Sequence, residues 1–282
     1  MRTPLRNVVC LVGAVGLAAC SNTGNPFAKK QPEKNAINVI DATDLTDIML
    51  TIADPNEAVI FFKNASIKAP DRIDLQRGLA RSLLRAKRAT EALPVYKKIL
   101  KHEDASYEDH VDYADALIRS NNWKEAAAEL NKIPPTVETF KRYRLEAIVA
   151  DSKKQWKKAD SFYETAVGLT TQPANVLNNW GYSKLTRGDY EAAEDLFMEA
   201  ISYNSKLFTA KNNLVLARGS QRNYKLPLIN LTQEERAQLL YTLGLTAVKK
   251  GDVAIGRGLI ESAIETHPRH FAIAVRSLEA LG

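Results

Sequence analysis

The sequence predicts an all-α protein, a solenoid of about six to seven stacked helix pairs with a closing helix at its carboxy terminus. Three observations carry that expectation. A pattern of small and aromatic residues returns about every 34 residues along most of the chain. Prolines such as Pro70 and Pro268 close copies of the pattern, where a helix ends. The 282 residues are 45% hydrophobic, 7% aromatic and 26% charged, an ordinary globular balance. That balance excludes a largely disordered, collagen-like or many-times membrane-spanning chain. Only two cysteines occur, Cys10 and Cys20, so no disulfide framework staples the core.

The amino terminus has the order of a secretory signal over residues 1–19. Arg2 and Arg6 precede a small-residue apolar run from Val8 to Ala19. About 12 apolar residues are too few for a spanning helix, which needs about 20. The run closes in Leu17-Ala18-Ala19-Cys20, which resembles a bacterial lipobox. That resemblance implies cleavage before Cys20, lipid on its thiol and acylation of the new amino terminus. Several acyl chains hold a protein stably on a membrane where one does not. Ser21 follows the cysteine, which in such lipoproteins implies the outer membrane, with the protein facing the periplasm. Residues 20–38, the lipidated cysteine and the segment Ser21–Asn38, are polar with two prolines and read as a flexible tether. Loss of Arg2 and Arg6 from 39 basic residues leaves 37 against 33 acidic ones, so the formal net charge of +6 falls to +4. Both signs are interleaved, and nucleic acid recedes as a partner.

The repeated part spans residues 39–282. Aligned on Gly181, Tyr190, Ala193, Phe197 and Ala200, one copy starts at Ala174. Thirty-four residues earlier Phe140 starts another, with Trp156, Ala159, Tyr163 and Ala166 in the same places. The copy from Tyr107 brings Trp123, Ala126, Leu130 and Ile133. That from Ile73 brings Ala92, Tyr96 and Ile99, and that from Val39 brings Ala58, Phe62, Ala65 and the closing Pro70. A single one-residue slip falls near Pro134-Pro135. Downstream, Phe208–Arg222 repeats the first helix of a pair, but Pro227 stands where alanine is expected, so the second helix is short or lost. Thr232-Gln-Glu-Glu235 reads as a capping box opening a fresh helix. A last copy runs from Ala237 with Gly244, Ile260, Ala263 and Pro268, and residues 270–282 form a cap.

This register resembles the 34-residue tetratricopeptide repeat, or TPR, and implies a right-handed superhelical array. Small residues at positions 8 and 20 would let the two helices of a pair approach. Aromatics at positions 17 and 24 would fill the space between neighbours, which makes Trp123, Trp156, Trp180 and Tyr190 core residues. Each pair cannot bury its apolar face alone, so stacking makes the core continuous.

No catalytic chemistry or cofactor is indicated. The mature chain has no free thiol nucleophile, and no GxSxG, Walker loop or GxGxxG pattern occurs. His267-Pro-Arg-His270 straddles a helix-ending proline without the cysteine or carboxylates that a metal site would need. The expectation is a non-enzymatic protein with neither catalytic residues nor metal. Its one covalent group would be the lipid on Cys20.

Protein binding is the function that remains. In TPR proteins positions 2, 5, 6, 9, 12 and 13 face a concave groove. Positions 5, 9 and 13 of the second copy are Arg77, Arg81 and Arg85, a single stripe on one helix face. Such a stripe suits an acidic segment, since each guanidinium donates paired hydrogen bonds; equally, Asp112 and Asp115 of the third copy could neutralise it. Asn178, Asn179 and Tyr182 of the fifth copy and Asn212 and Asn213 of the sixth face the groove as well. Their amides both donate and accept, so they can hold an extended peptide backbone.

The layout of lipobox, tether and repeats resembles the TPR lipoprotein of tight-adherence (Flp, type IVb) pilus systems, the TadD family. The narrower likeness lies in residues 170–282: the proline-interrupted copy, Leu231-Thr-Gln-Glu-Glu-Arg236, and Ala263-Ile-Glu-Thr-His-Pro-Arg-His-Phe271. It implies an outer-membrane-anchored periplasmic scaffold that helps the secretin or other pilus machinery assemble, and it brings no defined binding site. Two alternatives stay open: a pilotin-like lipoprotein of another type IV pilus or secretion system, and a TPR adaptor for cell-wall enzymes. TPR surfaces also permit homo-oligomers.

Overall fold

The computed structural model describes residues 45–282. The signal-like segment, Cys20, the tether and the start of the first copy at Val39 lie outside the described residues. Fourteen α-helices follow in order: α1 (Leu45–Thr51), α2 (Pro55–Lys68), α3 (Ile73–Arg85), α4 (Ala89–Ile99), α5 (Tyr107–Arg119), α6 (Trp123–Leu130), α7 (Phe140–Ser152), α8 (Trp156–Gly168), α9 (Ala174–Thr186), α10 (Tyr190–Tyr203), α11 (Phe208–Ser220), α12 (Gln233–Lys249), α13 (Val253–Thr266) and α14 (Ala272–Glu279). No strand occurs among the described residues. Each helix packs chiefly on the one before and the one after it, and the first helices of successive pairs, such as α7, α9 and α11, also touch. This is the nearest-neighbour contact pattern of a solenoid.

The core follows the 34-residue register. Position 24 carries Phe62, Tyr96, Leu130, Tyr163, Phe197 and Ile260, each at most 2% exposed. Position 20 beneath them is Ala58, Ala92, Ala126, Ala159 and Ala193, all fully buried. A larger side chain there would hold the two helices of a pair apart. The helices also approach closely where position 8 is glycine: a Cβ on Gly181 would meet the Phe197 ring at 2.7 Å.

The turn inside each pair has its own rule. Position 15 is left-handed in six pairs: Lys87, Asn121, Lys154, Gly188, Arg222 and Gly251 have φ between 55° and 86°. Glycine and asparagine reach this region at little cost. Lys87, Lys154 and Arg222 are held there by the packing of the helices on either side, at a cost of about 1 kcal/mol each.

At the sixth pair the chain after α11 stays non-helical through Leu231. Pro227 lacks the amide proton a helix would use at that place. A capping box then opens α12: the Thr232 hydroxyl accepts from the Glu235 amide at 3.1 Å, and the Glu235 carboxylate accepts from the Thr232 amide at 2.9 Å. This helix begins at Gln233, four residues before the register position Ala237, because the cap and not the repeat sets its start. Among the described residues no helix is long and apolar enough to cross a membrane.

Candidate functional site

The arginine stripe of α3 is engaged within the protein. Arg77 donates two bonds of 2.7 Å to the buried carboxylate of Asp109. Asp109 in turn closes the capping box of α5 by accepting from the Ser106 amide. Burial alone would raise the Asp109 carboxyl, but Arg77 and the Ser106 amide hold it below its ordinary value. Arg81 bonds to Asp112 and Glu108, each at 3.0 Å. Arg85 turns the other way, to the carbonyls of Met49 and Ala53 at the end of α1, 2.9 Å each. Of the two aspartates expected to face the stripe, only Asp112 does. Asp115 pairs with Arg119 at 2.8 Å and lies 3.9 Å from Lys141. The offset between α3 and α5 brings Asp109, one turn earlier, opposite Arg77. The helix end at α1, with its unsatisfied carbonyls, attracts Arg85.

The asparagines form a different surface. On the groove between α7, α9 and α11 lies a pocket of about 500 Å³. Asn178, Asn179, Tyr182 and Asn213 line it together with Trp123, Ile148, Trp156 and Tyr163. The Asn213 amide donates to the Asn178 carbonyl oxygen at 3.0 Å, tying α11 to α9. Asn179 makes no side-chain hydrogen bond among the described residues, and Tyr182 is 54% exposed at the rim. Asn212 stands outside the pocket, its carbonyl oxygen taken by the Thr242 hydroxyl of α12 at 2.8 Å.

The position-17 aromatics depart from the expectation that they are core. Trp123, Trp156 and Tyr190 are half-buried, and the first two form a wall of the pocket. Position 17 opens the second helix of each pair, so its side chain stands at the mouth of the stack. Arg187 covers the Trp156 ring at 5.6 Å. Trp180, also half-buried, is structural: it stacks on Tyr163 with ring centres 6.2 Å apart and donates to Asp160 at 2.7 Å.

Asp151 also lines this pocket. It accepts from the Ser183 hydroxyl at 2.7 Å and the Tyr163 hydroxyl at 2.9 Å. Burial pushes its carboxyl above the ordinary aspartate value, against the pull of those two hydroxyls. A carboxyl raised by folding binds a proton more readily in the native state, so native stability falls as pH rises through that window. Asp151→Asn, which can keep one acceptor and offer one donor, is therefore expected to be more stable than wild type at neutral pH. The gain should vanish on acidification, as read by urea denaturation at several pH values. A variant that is less stable at neutral pH than at acid pH, relative to wild type, contradicts this.

His267 ends α13, its ring stacked on Phe271 at 4.5 Å. Among the described residues no group of three or more histidines, cysteines or carboxylates could hold a metal ion.

Comparison with known proteins agrees with the helix-pair architecture. A tetratricopeptide-repeat family model matches residues 83–148. No curated protein sequence matches the chain. Among solved structures, a tetratricopeptide repeat protein from Parabacteroides merdae superposes with a TM-score of 0.57 at 13% identity, over 86% of this chain and 97% of that one. The APC/C hetero-tetramer Cut9–Hcn1 gives 0.61 at 11% identity over 86% of this chain, which spans only 50% of the length of that one. At such identities the likeness speaks for the fold alone. With the register, the buried position-24 side chains and the repeated left-handed turn, it makes residues 45–282 a solenoid of tetratricopeptide repeats.

Proposed function

We propose that this protein is a non-enzymatic scaffold, anchored by lipid on Cys20 to the outer membrane and facing the periplasm. In this reading it holds an extended segment of a protein partner in the groove between α7 and α11, as a TadD-like component of tight-adherence pilus assembly. The observation that carries the binding role is the pocket itself. Unpaired Asn179 and exposed Tyr182 share it with two tryptophans, and TPR solenoids use such a groove for recognition. An amide beside aromatic walls suits a peptide backbone with an apolar side chain. The pilus assignment is supported by the sequence likeness of residues 170–282 and by the lipobox-like Leu17-Ala18-Ala19-Cys20.

One crosslinking experiment in intact cells tests all three elements. Wild type is expected to remain in the membrane fraction and to capture the pilus secretin or another assembly component. Cys20→Ser should move the protein to the soluble periplasm. The pair Asn179→Ala with Asn213→Ala should reduce capture at least tenfold while the protein stays in the membrane. Recovery of murein hydrolases without pilus components would refute the pilus role. Undiminished capture by the asparagine pair would refute the groove.

A further inference from the structure

Arg144 holds the groove position on α7 that Arg77 holds on α3 and Asn178 on α9. Its surroundings differ from those of the other groove arginines. Arg77, Arg81 and Arg119 each meet a carboxylate, and Arg85 meets two carbonyls. The Arg144 Nε is buried with no hydrogen-bond partner, and the guanidinium forms no ion pair among the described residues.

The groups facing it explain why. Asp115, Arg119 and Tyr163 are its charged and titratable neighbours. Asp115 is already bound by Arg119 and lies near Lys141. Asp112 is shared between Arg81 and Lys141, and Glu108 is taken by Arg81. In this cluster Arg81, Arg119, Lys141 and Arg144 face Glu108, Asp112 and Asp115, which leaves one cation in excess. Burial lowers the Arg144 pKa, yet an arginine keeps its proton in proteins. Arg144 is half-buried with its Nε shut off from water, and a charge partly withdrawn from water without a carboxylate of its own favours an anion.

The same helix carries that demand to the pocket. Ile148, one turn after Arg144, lines it, and Asp151 lies one further turn along. The Asp151 oxygens are occupied by Ser183 and Tyr163, so the pocket presents aromatic and aliphatic walls and does not call for a cation. Arg144 and Ile148 are about 6 Å apart along the axis, about two residues of an extended chain.

We propose that the groove recognises an acidic, apolar segment of a protein partner. One carboxylate of the segment pairs with Arg144, and an aromatic or large aliphatic side chain within about four residues of it fills the pocket between Trp156 and Tyr182. This rests on the reading of the groove as a peptide site and adds the chemistry of the peptide.

The test is a phage-displayed library of random dodecapeptides panned on the full chain in detergent, followed by fluorescence-anisotropy titration of the most enriched peptide. The enriched sequences should pair Asp or Glu with a nearby aromatic or aliphatic residue. Arg144→Glu should weaken binding about ten- to a hundredfold, the size expected for a charge-assisted contact. Arg144→Gln, which keeps the stem of the side chain, should weaken it less, and Tyr182→Ala should weaken it independently. Circular dichroism checks that each variant is folded. Peptides bound equally by wild type and both Arg144 variants, but lost on Asn179→Ala with Asn213→Ala, would overturn the acidic preference and leave the groove reading standing. A selection that enriches nothing, or only peptides indifferent to all these changes, would overturn both.

Discussion

Phe197→Ala is expected to lower the stability of the array by about 3–5 kcal/mol, the range for deleting a fully buried aromatic ring. Phe197 is 0% exposed and closes the contact between α9 and α10 against Gly181 and the small residues Ala193 and Ala200. Its loss empties the centre of one pair, and in a solenoid a weak pair separates the arms on either side. The urea transition followed by far-UV circular dichroism should therefore move to lower urea and also broaden. The converse substitution supplies an internal control. Gly181→Ala places a methyl 2.7 Å from the Phe197 ring, and a ring held on all sides gives way only with strain of about 1–3 kcal/mol. In a Phe197→Leu background that methyl gains room, so Gly181→Ala should cost less there than in wild type. A cycle of the four proteins with no coupling would show that glycine is not needed for the approach of these helices.

That contact was legible in the sequence because its parts obey one local rule, a small residue sixteen places before an aromatic. The same holds for the helix lost at Pro227 and for the cap at Thr232, each set by residues within a few positions. Four features escaped. The tryptophans at position 17 have core composition, but their helix-end placement leaves one edge in the groove, and composition does not reveal an edge. The partners of Arg77 and Arg85 depend on how far one helix slides past the next, which spacing along a single helix does not contain. The left-handed turns at Lys87, Lys154 and Arg222 fall on residue types that do not announce such a turn, as glycine does at Gly188 and Gly251. Of the candidate groove residues, Asn178, Asn179, Tyr182 and Asn213 come together, whereas Asn212 and the arginine stripe serve the stacking of the repeats. Arg144 was overlooked because an unpaired cation is identified by its neighbours, which lie on α5 and α8.

Glu235 concentrates a second large effect on one carboxylate. It completes the cap of α12 and holds Lys211, whose side chain is 4% exposed and whose ammonium bonds both Glu235 oxygens at 2.9 and 3.0 Å. Lys211 also donates to the Asn230 carbonyl at 2.9 Å and so fastens the non-helical segment that replaces the missing helix. Glu235→Ala is expected to cost about 3 kcal/mol at neutral pH: it strands a buried ammonium and removes half of a capping box. The figure lies at the low end for broken buried pairs because the Glu235 side chain is 20% exposed. Glu235→Gln separates the two roles, since glutamine still serves the cap but carries no charge. Burial alone would raise the Glu235 carboxyl, but Lys211 and the Thr232 amide hold it below its ordinary 4.5. A depressed carboxyl stabilises the fold fully above its unfolded value, and that contribution is lost as pH falls through the lower, folded value. The advantage of wild type over Glu235→Gln should therefore be constant from neutrality down to about pH 5 and shrink below it, in denaturation curves taken across that range. If Glu235→Gln is as stable as wild type across the whole range, the cap alone, and not the ion pair with Lys211, joins α11 to α12.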